Sequence, residues 1–179
     1  MGNRTVSCDI RGISPLLMHS FPLVPIEALE KKSPQEQAEF AAYRNGDKKL
    51  YVPAEALQRA FVGGSAYSKG KGRASLSKVV AACLFVSPEH MILNEQHYIV
   101  DGRPVVVPAT KGRVMRYRPR LNEWSFSCEI NFDPDMLTEN QMRRVVDDTG
   151  SKVGLLDFRP EKRGSFGRFM VTRWELNGG

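Results

Sequence analysis

The stretch "LYVPAEALQRAFVGG", Leu50–Gly64, changes its periodicity at Pro53. Leu50, Tyr51 and Val52 read as a short strand. Beyond them Ala56, Leu57, Ala60 and Phe61 recur on one face of a helix. Proline suits the first helical position, where its missing N–H costs nothing, and Gly63-Gly64 is a usual helix stop.

The other segments arrange themselves around this strand-to-helix junction. Upstream, "RTVSCDI" alternates with Val6, Cys8 and Ile10 on one face, as a half-buried strand does. "SPLLMHSFPLVP" follows as an irregular connection, then "EALEKKSPQEQAEFAAYRNG" as helix-forming sequence ending in an Asn45-Gly46 turn. Downstream, "SLSKVVAACLFV" fits a helix through Leu76, Val79, Val80 and Cys83, or a buried strand from Val79 to Val86. Asp101-Gly102 between apolar runs predicts a hairpin turn, and a second hairpin is expected to turn near Leu121-Asn122. Its later arm alternates through Trp124, Phe126, Cys128, Ile130 and Phe132. Thr138 to Gln141 spells a capping box opening a helix towards Gly150, and "GLLDFRPEKRGSFGRFMVTRWEL" ends in a closing strand. Strand, helices, hairpin strands, helix and strand in this order predict an α+β fold. It is a ferredoxin-like (RRM-like) βαββαβ core with inserted loops and a hairpin, one domain over residues 1–179.

The glycine–lysine stretch "GGSAYSKGKGR", Gly63–Arg73, is not a nucleotide-binding P-loop. Aligned on Gly70-Lys71, the required first glycine falls on Ser65 and the magnesium-binding hydroxyl on Gly72, and a helix rather than a strand precedes it. No apolar run reaches the length of a membrane span and "MGNRTVSCDI" lacks a signal-peptide core, so a cytoplasmic protein is expected. Cys8, Cys83 and Cys128 sit in apolar periodic segments and read as buried thiols. His19, His90 and His97 lack metal-ligand spacing, so neither cofactor nor metal is expected. Asp133/Asp135 and Asp147/Asp148 are read as capping and solvated acids.

The net charge of +6 is unevenly placed. Arg59, Lys69, Lys71, Arg73 and Lys78 cluster in one segment, and no acidic residue occurs between Leu57 and Pro88. Arg103, Lys111, Arg113, Arg116, Arg118 and Arg120 stand against Asp101 in a second. Arg159, Lys162, Arg163, Arg168 and Arg173 stand against Glu161 in a third. Segregated positive charge beside glycine and proline favours a polyanion, nucleic acid above all. Tyr67, Tyr117, Phe158 and Phe166 lie among these cations as candidates to stack on unpaired bases, with Phe166 better explained by packing. Arg116, Arg118 and Arg120 alternate, so an extended arm carries them on one face.

Three blocks together resemble the RAMP superfamily of CRISPR-associated RNA-binding proteins. They are the first strand with its glycine and "SPLLMHS", the "LYVPAEALQRAF" junction, and "GLLDFRPEKRGSFGRFMV" before the last strand. "PAEALQRA" departs from the family's glycine–serine run, and Leu155-Leu156-Asp157 stands where more glycine is usual. The resemblance implies a noncatalytic subunit that binds single-stranded RNA alongside copies of itself or other CRISPR-type subunits, in a minimal form of the kind a phage or mobile element could encode. The RNA contacts it implies are His19, Arg59, Tyr67, Lys69, Lys71, Arg73, Lys111, Arg113, Arg116, Arg118, Arg159, Lys162, Arg163 and Arg168, with the arginine arm as a thumb over the RNA. The alternatives are a metal-independent endoribonuclease using His19, a phage accessory protein binding single-stranded DNA, and a decoy that docks on an effector complex.

Overall fold

The computed structural model describes residues 2–68 and 75–177. The first half of the chain carries β1 (Arg4–Gly12), β2 (Leu16–Leu17), α1 (Ile26–Glu30), α2 (Pro34–Ala41), β3 (Tyr51–Pro53), α3 (Ala54–Gly64) and α4 (Leu76–Cys83). The second carries β4 (Leu84–Ser87), β5 (His90–Ile92), β6 (Ile99–Val106), β7 (Arg113–Leu121), β8 (Ser125–Phe132), α5 (Glu139–Asp148) and β9 (Phe169–Leu176).

Strands β1, β4, β8 and β9 form a four-stranded antiparallel sheet in the order β4-β8-β1-β9. With α3 and α4 between β1 and β4, and α5 between β8 and β9, this is the ferredoxin-like arrangement. Period-two alternation sets the register. Val6, Cys8 and Ile10 stand opposite Ile130, Cys128 and Phe126, all turned into the core. Leu57, Ala60 and Phe61 of α3 and Met142, Val145 and Val146 of α5 close over that face, and the buried apolar residues form one cluster. Thr138 and Gln141 make the reciprocal capping box at α5. Cys8 and Cys128 are buried and Cys83 half-buried, all as free thiols.

Two insertions decorate this core and pair with one another. Between β1 and α3 lie β2, α1, α2 and β3; between β4 and β8 lie β5, β6 and β7. β3 pairs with β5, while β2, β7 and β6 make a second sheet. The ambiguous "SLSKVVAACLFV" resolves as helix followed by strand. Pro53 serves as the N-cap of α3 rather than its first residue.

Three local expectations are corrected. Asp101-Gly102 is no turn: β6 runs through it, because the Tyr117 ring lies over Gly102 and two arginines hold the Asp101 carboxylate. The chain reverses instead at residues 107–112, where the Val107 and Gly112 backbones bond at 2.9 Å and Lys111 takes a φ of 54°. Leu121-Asn122 joins strands of different sheets, because Leu121 pairs with Leu16 and the buried Trp124 donates its Nε1–H to the Ser14 carbonyl at 2.8 Å. The long helix-forming segment is two helices, since Ser33 caps a new one with Glu36 and Pro34 occupies its first turn.

Candidate nucleic-acid interface

The segment after β1, helix α3 and the loop before β9 converge on a cleft of about 450 Å³. His19, Tyr43, Arg59, Asp157, Arg159 and Lys162 line it. The loop has a defined path. Gly154 and Gly167 both sit at φ 74°, and the Leu155 N–H donates to the Gly167 carbonyl at 2.9 Å. The Gly167 N–H donates to Pro15 at 2.7 Å and the Asp157 N–H to Leu17 at 3.1 Å, which sews the loop to the segment carrying His19.

Beneath the loop lies a layer of rings and guanidinium groups. Phe158 and Phe166 meet edge-to-face at 6.5 Å. Arg103 lies 5.5 and 4.7 Å from the two ring centres, Arg118 lies 5.4 Å from Phe158, and Arg120 lies 5.4 Å from Phe166. Asp101 neutralises Arg103 at 2.6 Å and Arg120 at 3.4 Å; Asp157 is ion-paired with Arg118. These arginines bind the root of the β6–β7 arm to the glycine loop.

The arm arginines expected as RNA contacts are thereby reassigned. Arg118 is 4% exposed and its guanidinium is held by Asp157, so it has no surface to offer a phosphate. Arg116 is largely covered and lies 3.5 Å from Glu30. β7 itself carries no acid, yet Asp101 of β6 and, from elsewhere in the chain, Glu30 and Asp157 all reach its arginines. Phe166 is packed, as expected.

Other expected contacts are open. Lys111 and Arg113 stand exposed at the tip of the β6–β7 hairpin, and Lys162, Arg163 and Arg168 on the loop before β9. Among the described residues none of these five forms an ion pair with an acid. Arg59 pairs with Glu55 at 2.6 Å in an exposed i,i+4 bridge, of the kind worth little and readily exchanged for a phosphate. Arg159 is half-buried, bridging Glu161 two residues on at 2.7 Å and also donating to the Leu156 carbonyl at 2.9 Å. Tyr67 is 57% exposed with the Lys152 ammonium 4.7 Å from its ring centre. Lys69, Lys71 and Arg73 lie outside the described residues. Asp147 and Asp148 are bridged by Arg143 and Lys152 within α5 and its continuation. No group of side chains with metal-ligand character occurs among the described residues.

Two residues of the cleft, Tyr43 and Asp157, are not among the expected contacts. Tyr43 donates its hydroxyl to the His19 carbonyl at 3.3 Å, and burial pushes its pKa up, so it stays a donor. Asp157 stood out only as a break in a glycine-rich pattern. It lies 3.5 Å from His19 Nδ1. Burial alone would raise its pKa; the hydrogen bond from His19 and the charges of Arg118 and His19 outweigh that and hold it below the ordinary carboxylate range. Glu39 is lowered too, by its bonds from Arg44 and Tyr98 against burial.

A depressed folded-state pKa gives stability that is present above the unfolded value, near 4, and is lost as pH falls through the folded one. Thermal melts are therefore expected to be flat from pH 7 to about 5 and to drop below about 4, with a shallower drop in Asp157→Asn. Tyr98, pushed up to about 12 by burial and its bond to Glu39, adds an alkaline limb: its contribution is present below pH 10 and lost as pH rises towards 12.

The open face of the four-stranded sheet is a different kind of surface. Thr5 bonds Asn131, and Asp9 accepts from Ser127 and Arg173. Serines, acids and self-satisfied bonds fill its centre, and its one large exposed ring among the described residues is Phe85 on the edge strand β4, opposite Asn131.

A ferredoxin-like sheet with an inserted arm locked against a glycine-loop cleft defines the class of this protein. No protein-family profile and no curated protein sequence matches the chain. Among solved structures its fold matches a chain from the cryo-EM structure of the type III-B Cmr-beta bound to cognate target RNA, with a TM-score of 0.63 at 10% identity. The match covers 98% of this chain and 61% of that one, so the likeness is one of fold with part of a longer neighbour. The likeness is to the ferredoxin-like fold. No described helix is long and apolar enough to cross a membrane.

Proposed function

We propose that this chain is a noncatalytic, single-domain subunit of a CRISPR-type ribonucleoprotein that binds single-stranded RNA through phosphates and shape. The observation that carries this reading is the convergence of His19, Arg59, Arg159 and Lys162 on one cleft, from segments far apart in sequence. The neighbour of like fold is a chain from a structure of Cmr-beta bound to its cognate target RNA, which supports the same ligand class here. Phosphates occupy the cleft beside Lys162, where they displace the weak bridge of Arg59 and meet Arg159. The strand continues towards Lys111 and Arg113 at the tip of the arm, and Tyr67 offers a ring to an unstacked base. Copies of the same chain, or other subunits, sit on either side.

The test is binding to labelled single-stranded RNA and matched DNA across a salt series. Each neutralised phosphate contributes about −0.7 to the slope of log affinity against log salt, so Arg159→Ala/Lys162→Ala is expected to make the slope shallower by about 1.4. RNA is expected to bind tighter than DNA. Equal affinity for DNA would favour the accessory-protein reading, and no binding to either would overturn the proposal.

One observation favours a second reading. A histidine Nδ1 facing a carboxylate has its other nitrogen oriented for proton transfer, as His19 has against Asp157. Metal-independent RNA cleavage that disappears in His19→Ala would select the endoribonuclease.

A further inference from the structure

Two covered side chains are satisfied at one end only. Gln37 of α2 is 6% exposed; its Nε2–H donates to the Lys32 carbonyl at 2.9 Å, and its Oε1 has no partner among the described residues. That bond fixes the amide, because turning it over would set oxygen against oxygen. Arg116 of β7 points Nη2 at Glu30, 3.5 Å away, and its buried Nη1 likewise has no partner among the described residues. Such orphaned atoms are costly and few in a native fold. Gln37 and Arg116 line one small cavity, with Leu29, Ala41 and Tyr117 among its other walls. Its volume is about 20 Å³, room for one water and for no larger molecule.

We infer that this cavity is a binding site for a single buried water, which accepts from Arg116 Nη1 and donates to Gln37 Oε1. The two orphans require that chemistry: one is a donor, the other an acceptor, and they are not bonded to each other. Ions are the wrong ligand. A cation would meet the guanidinium groups of Arg116 and Arg118, and an anion the Gln37 oxygen, with Glu30 beside Arg116. A neutral molecule that accepts and donates at once fits both sides. The water joins two insertions that the ferredoxin-like core itself lacks, since α2 belongs to the first and β7 to the second. It also backs the cleft, because His19 lines both spaces. Its effect on the cleft rests on the RNA-binding reading; the water site does not.

A crystal structure of the full chain that resolves ordered water, with water relaxation dispersion in solution, tests the site. The wild type is expected to show one peak within hydrogen-bonding distance of both Gln37 Oε1 and Arg116 Nη1. Gln37→Met keeps the bulk of the side chain and removes the acceptor, so it should hold one fewer long-lived water in solution. A cavity without a peak, a direct bond between Gln37 and Arg116, a peak that refines as an ion, or an unchanged water count in the variant would each overturn the inference. The wild-type map decides even where the variant does not fold. Binding of a short RNA that fills one cleft separates the site from its effect. Gln37 does not line the cleft, yet Gln37→Met is expected to weaken that RNA about threefold through His19. Equal binding by variant and wild type would show that the water does not support the cleft. A wild type that binds no RNA would overturn the RNA-binding reading and leave the water in place.

Discussion

Replacing Asp157 by alanine is expected to destabilise the protein by about 3 kcal/mol, read as a shift of the urea midpoint. The reason is what it leaves behind. Arg118 is 4% exposed, and the Phe158 ring centre lies 5.4 Å from its guanidinium. Without the carboxylate, a guanidinium that cannot lose its proton stays buried without a counter-charge. Arg118→Met should cost much less, because it removes the charge with its partner still in place, and Asp157 is open enough to be solvated and still faces His19. The asymmetry is the content of the prediction. Equal losses in the two variants, or a loss in Asp157→Ala below the roughly 1 kcal/mol of a surface pair, would show that the pair does not hold the arm to the loop. Arg118→Met/Asp157→Leu should recover most of the stability while loosening the wall of the cleft, so its RNA affinity should fall although its fold does not.

Gly167→Ala is expected to cost about 3 kcal/mol, and to reduce RNA affinity by at least roughly tenfold even where the protein remains folded. Its φ of 74° is poorly open to an L side chain, and an added Cβ would fall on the Leu155 carbonyl oxygen. That carbonyl belongs to the backbone and cannot rotate away. The pairing of Leu155 with Gly167 closes the base of the loop that carries Asp157, Arg159 and Lys162. Gly46→Ala is the control: nothing lies within 4 Å of the added carbon, and the change should stay within about 0.5 kcal/mol of wild type. A loop variant as benign as this control would mean that the cleft tolerates an open loop.

The parts of the fold legible in the sequence are those decided by short-range physics. The alternation of β1 and β8, the junction at Pro53, and the capping box at Thr138 each lie within a dozen residues, and each stands where the pattern puts it. Asp101-Gly102 has strong local turn chemistry, yet distant partners overrule it: Arg120 and Tyr117 come from β7. The site divides in the same way. His19, Arg59, Arg159 and Lys162 were recognisable as candidates, and the fold brings them together. Which of the arm's arginines are free was not recognisable, because counting charge along a chain leaves out the acids that meet it in space. Glu30 and Asp157 convert Arg116 and Arg118 from candidate contacts into scaffold.

The strand order has a consequence for how the chain becomes folded. β1 emerges first, yet both of its neighbours, β8 and β9, belong to the last third of the sequence, and Val6 pairs with Leu176. During vectorial synthesis β1 therefore has no sheet partner until residue 132 has left the ribosome, and its second edge stays open until residue 176 has followed. Such long loops are slow to close, and an unpaired edge is open to the wrong partner meanwhile. A truncation that omits β9 would leave β1 with one bare edge throughout, so the final eight-residue strand is what turns a sticky nascent chain into a finished sheet.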